Sequence, residues 1–344
     1  MRYVTFGRTG LSVSEFGFGC IPIIRLSGDE ATKVLRYAFE KGVNFYDTAN
    51  AYRDSEEKIG IAFDGIRDKV IIASKTLKRN GEDALQHLEN SLKMLKTDYL
   101  DLYQLHQVAQ ESEWQKITGP SGALEAVMKA KEAGKIRHVG VTSHSLPMAL
   151  KMVKSGLFET IQFPFNLIEE EAKEELLVEC RKTETPFICM KPFGGGVIDN
   201  GEIAFKYLRD YPGVIPIPGF ESIAQIDQIL SFYALENKIT SKDREIMEEY
   251  RRKLGRRFCR RCEYCQPCPQ GVLITPAMGY LTLVSRMSPD VAVEFGKKPM
   301  ESIPLCTECG ACRKHCPYNL EIPETLKANY ELYQKHLREK ERNV

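Results

Sequence analysis

The sequence predicts an α/β protein: a (β/α)8 barrel preceded by a β-hairpin and followed by a small cysteine-rich domain. Short apolar runs bounded by Gly or polar residues end near Cys20, Asp47, Lys75, His106, Val141, Phe163, Met190 and Ile217. From Asp47 onward these ends are 28, 31, 35, 22, 27 and 27 residues apart, the length of one strand plus one helix. Eight such units make a closed parallel barrel, with its working groups expected at the C-terminal strand ends. Of eleven cysteines, eight lie between 259 and 316 in two runs of four, which marks the second domain.

Taken in order, residues 2–5 and 11–14 flank Gly7-Arg8-Thr9-Gly10 and read as the hairpin. Phe16–Cys20 is the first barrel strand. Ala31, Val34, Leu35, Ala38 and Phe39 then share one helical face, and Gly42 ends it. Val43, Phe45 and Tyr46 form the second strand, Val70–Ser74 the third and Leu100–Leu105 the fourth. The loop Gln107–Pro120, with Trp114, is expected to shape the pocket. Ser241–Leu254 reads as the last barrel helix. Composition changes at Arg251-Arg252-Lys253-Leu254-Gly255-Arg256-Arg257, placing the boundary near residue 255, with a barrel over 1–255 and a second domain over 256–344. No Gly/Ser-rich linker separates them, so the second domain is expected to pack on the barrel. Pro323–Arg342 reads as a terminal amphipathic helix with Leu326, Tyr330 and Tyr333 on one face.

The bulk numbers narrow the function classes. A composition 43% hydrophobic and 28% charged is that of an ordinary soluble protein, and a net charge of +1 supplies no global pull toward nucleic acid or membrane. Met1-Arg2-Tyr3-Val4-Thr5 lacks an apolar signal region and no stretch reaches membrane-spanning length, so the cytoplasm is the expected location. In that setting CxxC spacing favours metal ligation over disulfides.

Asp47, Tyr52, Lys75 and His106 collect at the ends of three successive strands. Such a set suits carbonyl reduction. Hydride addition leaves negative charge on the substrate oxygen, and a proton must reach it. A free phenol, with a pKa near ~10, is a reluctant acid at neutral pH; a neighbouring ammonium stabilises its phenolate. Lys75 is expected to play that part, Asp47 to hold Lys75, and His106 to orient the carbonyl by a hydrogen bond, with Tyr52 as the acid. Each residue alone has a plain alternative: a helix cap, a surface phenol, a solvated charge, a satisfied core histidine. Together at matched strand ends they point to catalysis.

The surrounding words resemble the aldo-keto reductase superfamily: Asp47-Thr48-Ala49-x-x-Tyr52, Ala73-Ser74-Lys75 and Leu102-Tyr103-Gln104-Leu105-His106. So do Gly7-x-Thr9-Gly10-Leu11-x-Val13-Ser14, Gly17-Phe18-Gly19, Ser55-Glu56-Glu57-x-x-Gly60, Gly134–Val141 and Ile161–Asn166, covering about residues 1–230. The resemblance implies an oxidoreductase that reduces an aldehyde or ketone, or oxidises the alcohol, with NAD(P)H. It places Thr142, Ser143 and Gln162 at the nicotinamide carboxamide, with Ser143 in place of the usual Asn, and Met190 where an aromatic usually stacks on the ring. Lys191 and Gly194-Gly195-Gly196 are offered to the pyrophosphate, although a Gly triplet is also simply a turn. Gly219, Glu221 and Gln225 fall where the family grips adenosine and its 2′-phosphate. Gln225 stands where the family's Arg would be, and Glu221 repels a phosphate. With no cation expected there, the reading favours NADH over NADPH.

Cys259, Cys262, Cys265 and Cys268-Pro269 are followed by Cys306, Cys309, Cys312 and Cys316-Pro317. The second run has the bacterial ferredoxin spacing, in which the fourth Cys ligates the other cluster when two are present. The first run is one residue short before Cys268, which leaves open the cluster that Cys268 serves. Zinc also accepts four thiolates, but two consecutive runs ending in Pro favour two [4Fe-4S] clusters. The region looks like a dicluster ferredoxin domain. Arg251, Arg252, Lys253, Arg256, Arg257, Arg260 and Arg261 read as compensation for anionic clusters or, more sharply, as a docking patch for an acidic redox partner. Nicotinamide moves two electrons as hydride, whereas such a cluster moves one, and no flavin motif joins the two. A second function class therefore stands beside the enzyme: an electron-transfer protein using the barrel as a scaffold.

Overall fold

The computed structural model describes residues 1–287 and 289–342. The chain forms two compact units: Met1–Pro192 with Asn200–Ile239, and Phe193–Asp199 with Thr240–Val344.

The first unit is the barrel. Strands β1 (Tyr3–Thr5) and β2 (Ser12–Ser14) pair antiparallel as the expected hairpin, with Val4 opposite Val13. Eight parallel strands follow: β3 (Phe18–Gly19), β4 (Phe45–Asp47), β5 (Ile71–Thr76), β6 (Leu100–Leu105), β7 (Ile136–Thr142), β8 (Thr160–Pro164), β9 (Phe187–Met190) and β10 (Val214–Pro216). They lie side by side in chain order. The sheet meets itself where Gly17 N donates to Pro216 O (2.9 Å) and Gly19 N to Pro218 O (2.7 Å), with Gly19 bridged to Gly219.

Alternation along the strands sorts the barrel interior into layers, because residues two apart share a face. The lower layer is apolar: Phe45, Ala73, Leu102, Ile188 and Ile215 form one buried cluster with Phe6 and Val13, so the hairpin plugs the N-terminal end. Two residues further along three of these strands stand Asp47, Lys75 and Gln104, all buried. An ionisable layer thus rests on a dry floor.

Caps set the outer helices. The helix Gly28–Glu40 starts at a reciprocal capping box of Ser27 and Glu30, and Gly81–Met94 starts where Asn80 accepts from the Asp83 N–H.

The division between units falls before Thr240, earlier than the composition change near residue 255. Ser241–Leu254 forms the expected helix but belongs to the second unit. That helix is mostly charged and buries only Asp243 and Met247, too little apolar pattern to reveal its side from sequence. The segment between the cysteine runs is helical, and its core holds Val272, Tyr280, Val293 and Met300. The terminal helix runs Ile322–Arg342; Leu326 and Tyr333 are buried in that core and Tyr330 packs against it.

Gly60 sits where the helix Ser55–Ala62 crosses the end of Gly81–Met94; a Cβ there meets Met94 O at 2.4 Å and the Leu95 backbone at 2.8 Å. Backbone cannot yield as a side-chain tip does. Gly60→Ala is expected to cost about 1–3 kcal/mol, read as a lower urea midpoint at unchanged m-value.

Candidate active site

At the C-terminal ends of β4, β5 and β6 the four sequence-predicted side chains meet. Lys75 Nζ donates to Asp47 Oδ2 at 2.5 Å and to Thr48 O at 2.6 Å. The same ammonium lies 5.0 Å from the centroid of the Tyr52 ring, whose edge-on neighbour, at 5.9 Å, is the imidazole of His106. Strand β5 carries Lys75 inside its last turn of pleat rather than beyond its end.

Local structure fixes each group. Tyr52 rides on a turn pinned at both ends: Asn50 N donates to Lys75 O (3.1 Å), and Ser55 Oγ donates to Cys20 O (3.0 Å). His106 follows β6, with its N–H on Thr76 O (2.8 Å) and its carbonyl held by Arg79, which Glu113 braces at 2.7 Å.

Burial alone discharges an ammonium, and it is the largest influence on Lys75. The Asp47 carboxylate and the Tyr52 phenol outweigh it, so the Lys75 pKa stands above that of ordinary lysine and the charge is kept. For His106, burial first, then the Lys75 and Arg79 charges, push the pKa down to about 3. His106 is therefore neutral across the physiological range and presents one N–H and one bare nitrogen.

Two further polar side chains belong to this layer. Burial raises the Asp47 pKa, against the opposing pull of Lys75 and, more weakly, of Gln162 and Gln104 beside it. Among the described residues, both amide atoms of Gln104, the Gln162 carbonyl oxygen and His106 Nδ1 have no hydrogen-bond partner. Buried polar atoms without partners are costly, and these crowd the layer of the Asp47–Lys75 pair. Gln104 was not among the sequence candidates, although it stands in β6 two residues before His106.

The remaining sequence candidates are more engaged. Thr142 Oγ1 accepts from Gln107 N (2.7 Å), and Ser143 Oγ donates to Val108 O (2.7 Å) while accepting from Ser145 N (3.0 Å). Both hydroxyls tie the loop after β6 to that after β7. Met190 ends β9, half-buried against the barrel cluster. Lys191 Nζ is 3.9 Å from buried Glu169. The triplet Gly194-Gly195-Gly196 has φ of 56°, 72° and 100°, a left-handed turn. Trp114 lies on a helix, Glu111–Thr118, rather than a loop, against Phe158 and under Lys151.

The loop after β10 carries an ion pair that the sequence did not signal. Gly19 and Gly219 bridge across the seam, and a Cβ on Gly219 would meet Pro22 at 2.6 Å. That close approach brings Arg25 to Glu221, Nη2 to Oε2 2.5 Å. A cation is thus present where none was expected, because it comes from the loop after the first barrel strand. Gln225 turns back to accept from Glu221 N (2.8 Å).

Residues 16–203 match the family model described as Aldo/keto reductase family, which spans more than half of the chain. This chain belongs to the aldo/keto reductase family. Its barrel is 36% identical over 197 residues to aldo-keto reductase YhdN of Bacillus subtilis, a match covering 52% of this chain and 57% of that protein. It is 26% identical over 242 residues to methylglyoxal reductase YeaE of Escherichia coli, covering 62% and 82%. The aldo-keto reductase of Klebsiella pneumoniae solved in complex with NADPH shares the fold, with a TM-score of 0.62 at 23% identity over 72% of this chain and 94% of that one. Residues 258–321 of this aldo/keto reductase match the model of a 4Fe-4S dicluster domain. No helix among the described residues is long and apolar enough to cross a membrane.

In the second unit the cysteines fall into two neighbourhoods. Burial pushes the Cys265 thiol up to about 12, with Cys259 and Cys262 close enough to add to the rise. Cys312 is raised by burial too, and its contributing neighbours are Cys306 and Cys268. One cavity is lined by Cys265, Cys268, Cys306, Cys309 and Cys312. Among the described residues, no three His, Cys, Asp or Glu side chains converge on a single ion. A cubane is larger than one ion and takes thiolates spread around it, so the donor set fits clusters. Cys268 thus lies near Cys312 of the second run.

Two outcomes follow from these geometries. Between pH about 6.5 and 3 an unfolded histidine binds a proton that folded His106 refuses, so its contribution to stability is lost as pH falls through that window, at up to about 1.4 kcal/mol per unit. His106→Gln is therefore expected to flatten the fall in unfolding free energy between pH 6.5 and 4.5, measured by urea titration; an unchanged slope contradicts it. For the cysteines, Cys268→Ser and Cys309→Ser are expected to alter the same cluster's electron paramagnetic resonance signal in the reduced protein, and Cys262→Ser the other.

Proposed function

We propose that this protein is an NAD(P)H-dependent carbonyl reductase, or alcohol dehydrogenase in reverse, acting on a small molecule. The observation that carries the reading is the buried ammonium of Lys75, held by Asp47 and poised over the Tyr52 ring with neutral His106 alongside. The nicotinamide, when bound, supplies the hydride, and Gln162 with Gln104 is the donor set suited to its carboxamide. Thr142 and Ser143 position the loops around it; Met190, Lys191, Gly219, Glu221 and Gln225 are the further cofactor-facing residues.

On the substrate, Tyr52 gives its proton to the carbonyl oxygen. Lys75 stabilises the phenolate left behind, and Asp47 keeps Lys75 charged and aimed through the cycle. His106, neutral, donates a hydrogen bond to the same oxygen and takes no proton itself. We read NADH as the favoured cofactor, since a 2′-phosphate meets the Glu221 carboxylate. Two clusters held by the eight cysteines supply one-electron capacity, and exposed Cys309 together with the basic stretch Arg251–Arg261 supports exchange with an acidic redox partner. The cytoplasm suits this chemistry.

The test is turnover of an aldehyde panel by anaerobically purified protein. Tyr52→Phe is expected to lower kcat by about 10²–10⁴-fold with an unchanged fold by circular dichroism. Full activity in that variant removes Tyr52 as the acid. Turnover absent from the parent protein as well, with clusters intact, favours electron transfer on a barrel scaffold instead.

A further inference from the structure

Glu56 is a buried carboxyl that the proposed reduction leaves unused. It stands in the first turn of the helix Ser55–Ala62, only 3% exposed, and accepts a hydrogen bond from Ser74 Oγ. Burial is the largest influence on it and raises its pKa; Ser74, Ser91 of the helix Gly81–Met94, Lys75 and Asn50 pull the other way. Two strands thus bring titratable neighbours to the carboxyl. Lys75 of β5 favours its charged form, while the buried Tyr103 phenol of β6 is pushed up by burial and then by Glu56 itself. A helix resting on a sheet needs only apolar contact, and a carboxyl buried there costs free energy until its oxygens are bonded. The bonds it makes are therefore informative. Side chains alternate along β5, so Ser74 meets the outer helix while Lys75 faces the barrel interior. Ser74 is the chain neighbour of Lys75, and Asn50 precedes Tyr52 by two residues. Asn50 N also donates to Lys75 O (3.1 Å), and the turn closes with Tyr52 N on Ala49 O (2.9 Å) and Ser55 N on Tyr52 O (2.9 Å).

We propose that Glu56 is a positioning residue: its carboxyl ties the turn that carries Tyr52 to the strand that carries Lys75, and so sets how closely phenol and ammonium approach. Its bearing on turnover rests on the reductase reading above; its bearing on the Tyr52–Lys75 pair does not. Tyr52 lies outside any strand, and the ammonium stands 5.0 Å from its ring centroid. The influence of an ammonium on a phenol falls with distance. A turn free to drift from β5 would leave Tyr52 a more ordinary phenol. Glu56 prevents that from behind the strand, touching neither the reacting atoms nor the ammonium.

The experiment follows the Tyr52 phenol itself, by carbon-13 NMR of the full-length, anaerobically purified protein labelled at tyrosine Cζ, with the Tyr52 signal assigned by its loss in Tyr52→Phe. It compares the parent with Glu56→Ala, Glu56→Gln, Ser74→Ala and, as a control, the exposed neighbour Glu57→Gln, recording the unfolding midpoint of each. In E56A the Tyr52 phenol is expected to titrate about 0.5–1 pH unit higher than in the parent. S74A moves it the same way by less, and E56Q, which keeps an oxygen to accept from Ser74, stays nearer the parent than E56A. E57Q leaves it unmoved. In turnover of an aldehyde the pH profile of kcat shifts with the titration while KM holds. A titration unmoved in E56A and S74A, with only the midpoints lowered, gives Glu56 a purely structural part and overturns the proposal. A downward move in E56A overturns it too, since that is the sign of losing a through-space negative charge rather than a brace. Should E56A fail to fold, S74A alone decides between these outcomes. A parent that turns over no aldehyde while its Tyr52 titration still rises in E56A overturns the reductase reading and leaves the brace standing.

Discussion

Everything at the mouth of the barrel depends on one buried ion pair. Lys75 and Asp47 are both nearly inaccessible to solvent, at 1% and 3% side-chain exposure, and burying either charge alone costs several kcal/mol. Together, with Thr48 O taking a second ammonium proton, they are compensated. The fold must therefore deliver the ends of β4 and β5 in one register, Asp47 beside Ala73 and Lys75 beside Gln104, or leave an uncompensated charge in its core. That requirement ties the candidate site to strand pairing: the ammonium that lies over the Tyr52 ring is also a condition of correct assembly.

The floor beneath the pair matters equally. Phe6 and Val13 of the hairpin close the N-terminal end against Phe45, Leu102 and Ile215, so the ionisable layer sits over apolar surface. The apolar floor and the surrounding walls strengthen the attraction within the pair and depress His106. Closure by glycine does similar work at the rim, where Gly19 and Gly219 let two loops approach more nearly than any side chain would permit.

The second unit poses a different chemistry. Its thiols divide by space rather than by order along the chain, Cys268 siding with Cys306 and Cys312. Cysteines from both runs pack against a helical core that holds Tyr280, Met300 and Tyr333. Metal binding in such a unit is also folding energy. The barrel site and the cysteine-rich unit are therefore separately built parts of one chain.

By itself the sequence determined the barrel, the hairpin, the tetrad and the eight thiols, because each is written locally. Strand-plus-helix spacing recurs at a near-constant interval, Asp47, Lys75 and His106 each follow an apolar run, and CxxC steps need no partner to be recognised. Alternation along β6 also held Gln104, had the strand been read inward from His106. What only the tertiary structure decided were the meetings of distant segments. Arg25 reaches Glu221 because the first and last strands close on each other, and no local pattern signals that a cation crosses the seam. Trp114 meets Phe158 because a helix, rather than a loop, carries it there. The helix Ser241–Leu254 joined the second unit because its charged sequence offers too few apolar side chains to announce where it packs. Periodicity records which face of an element is buried; which other element buries it is a property of the closed fold.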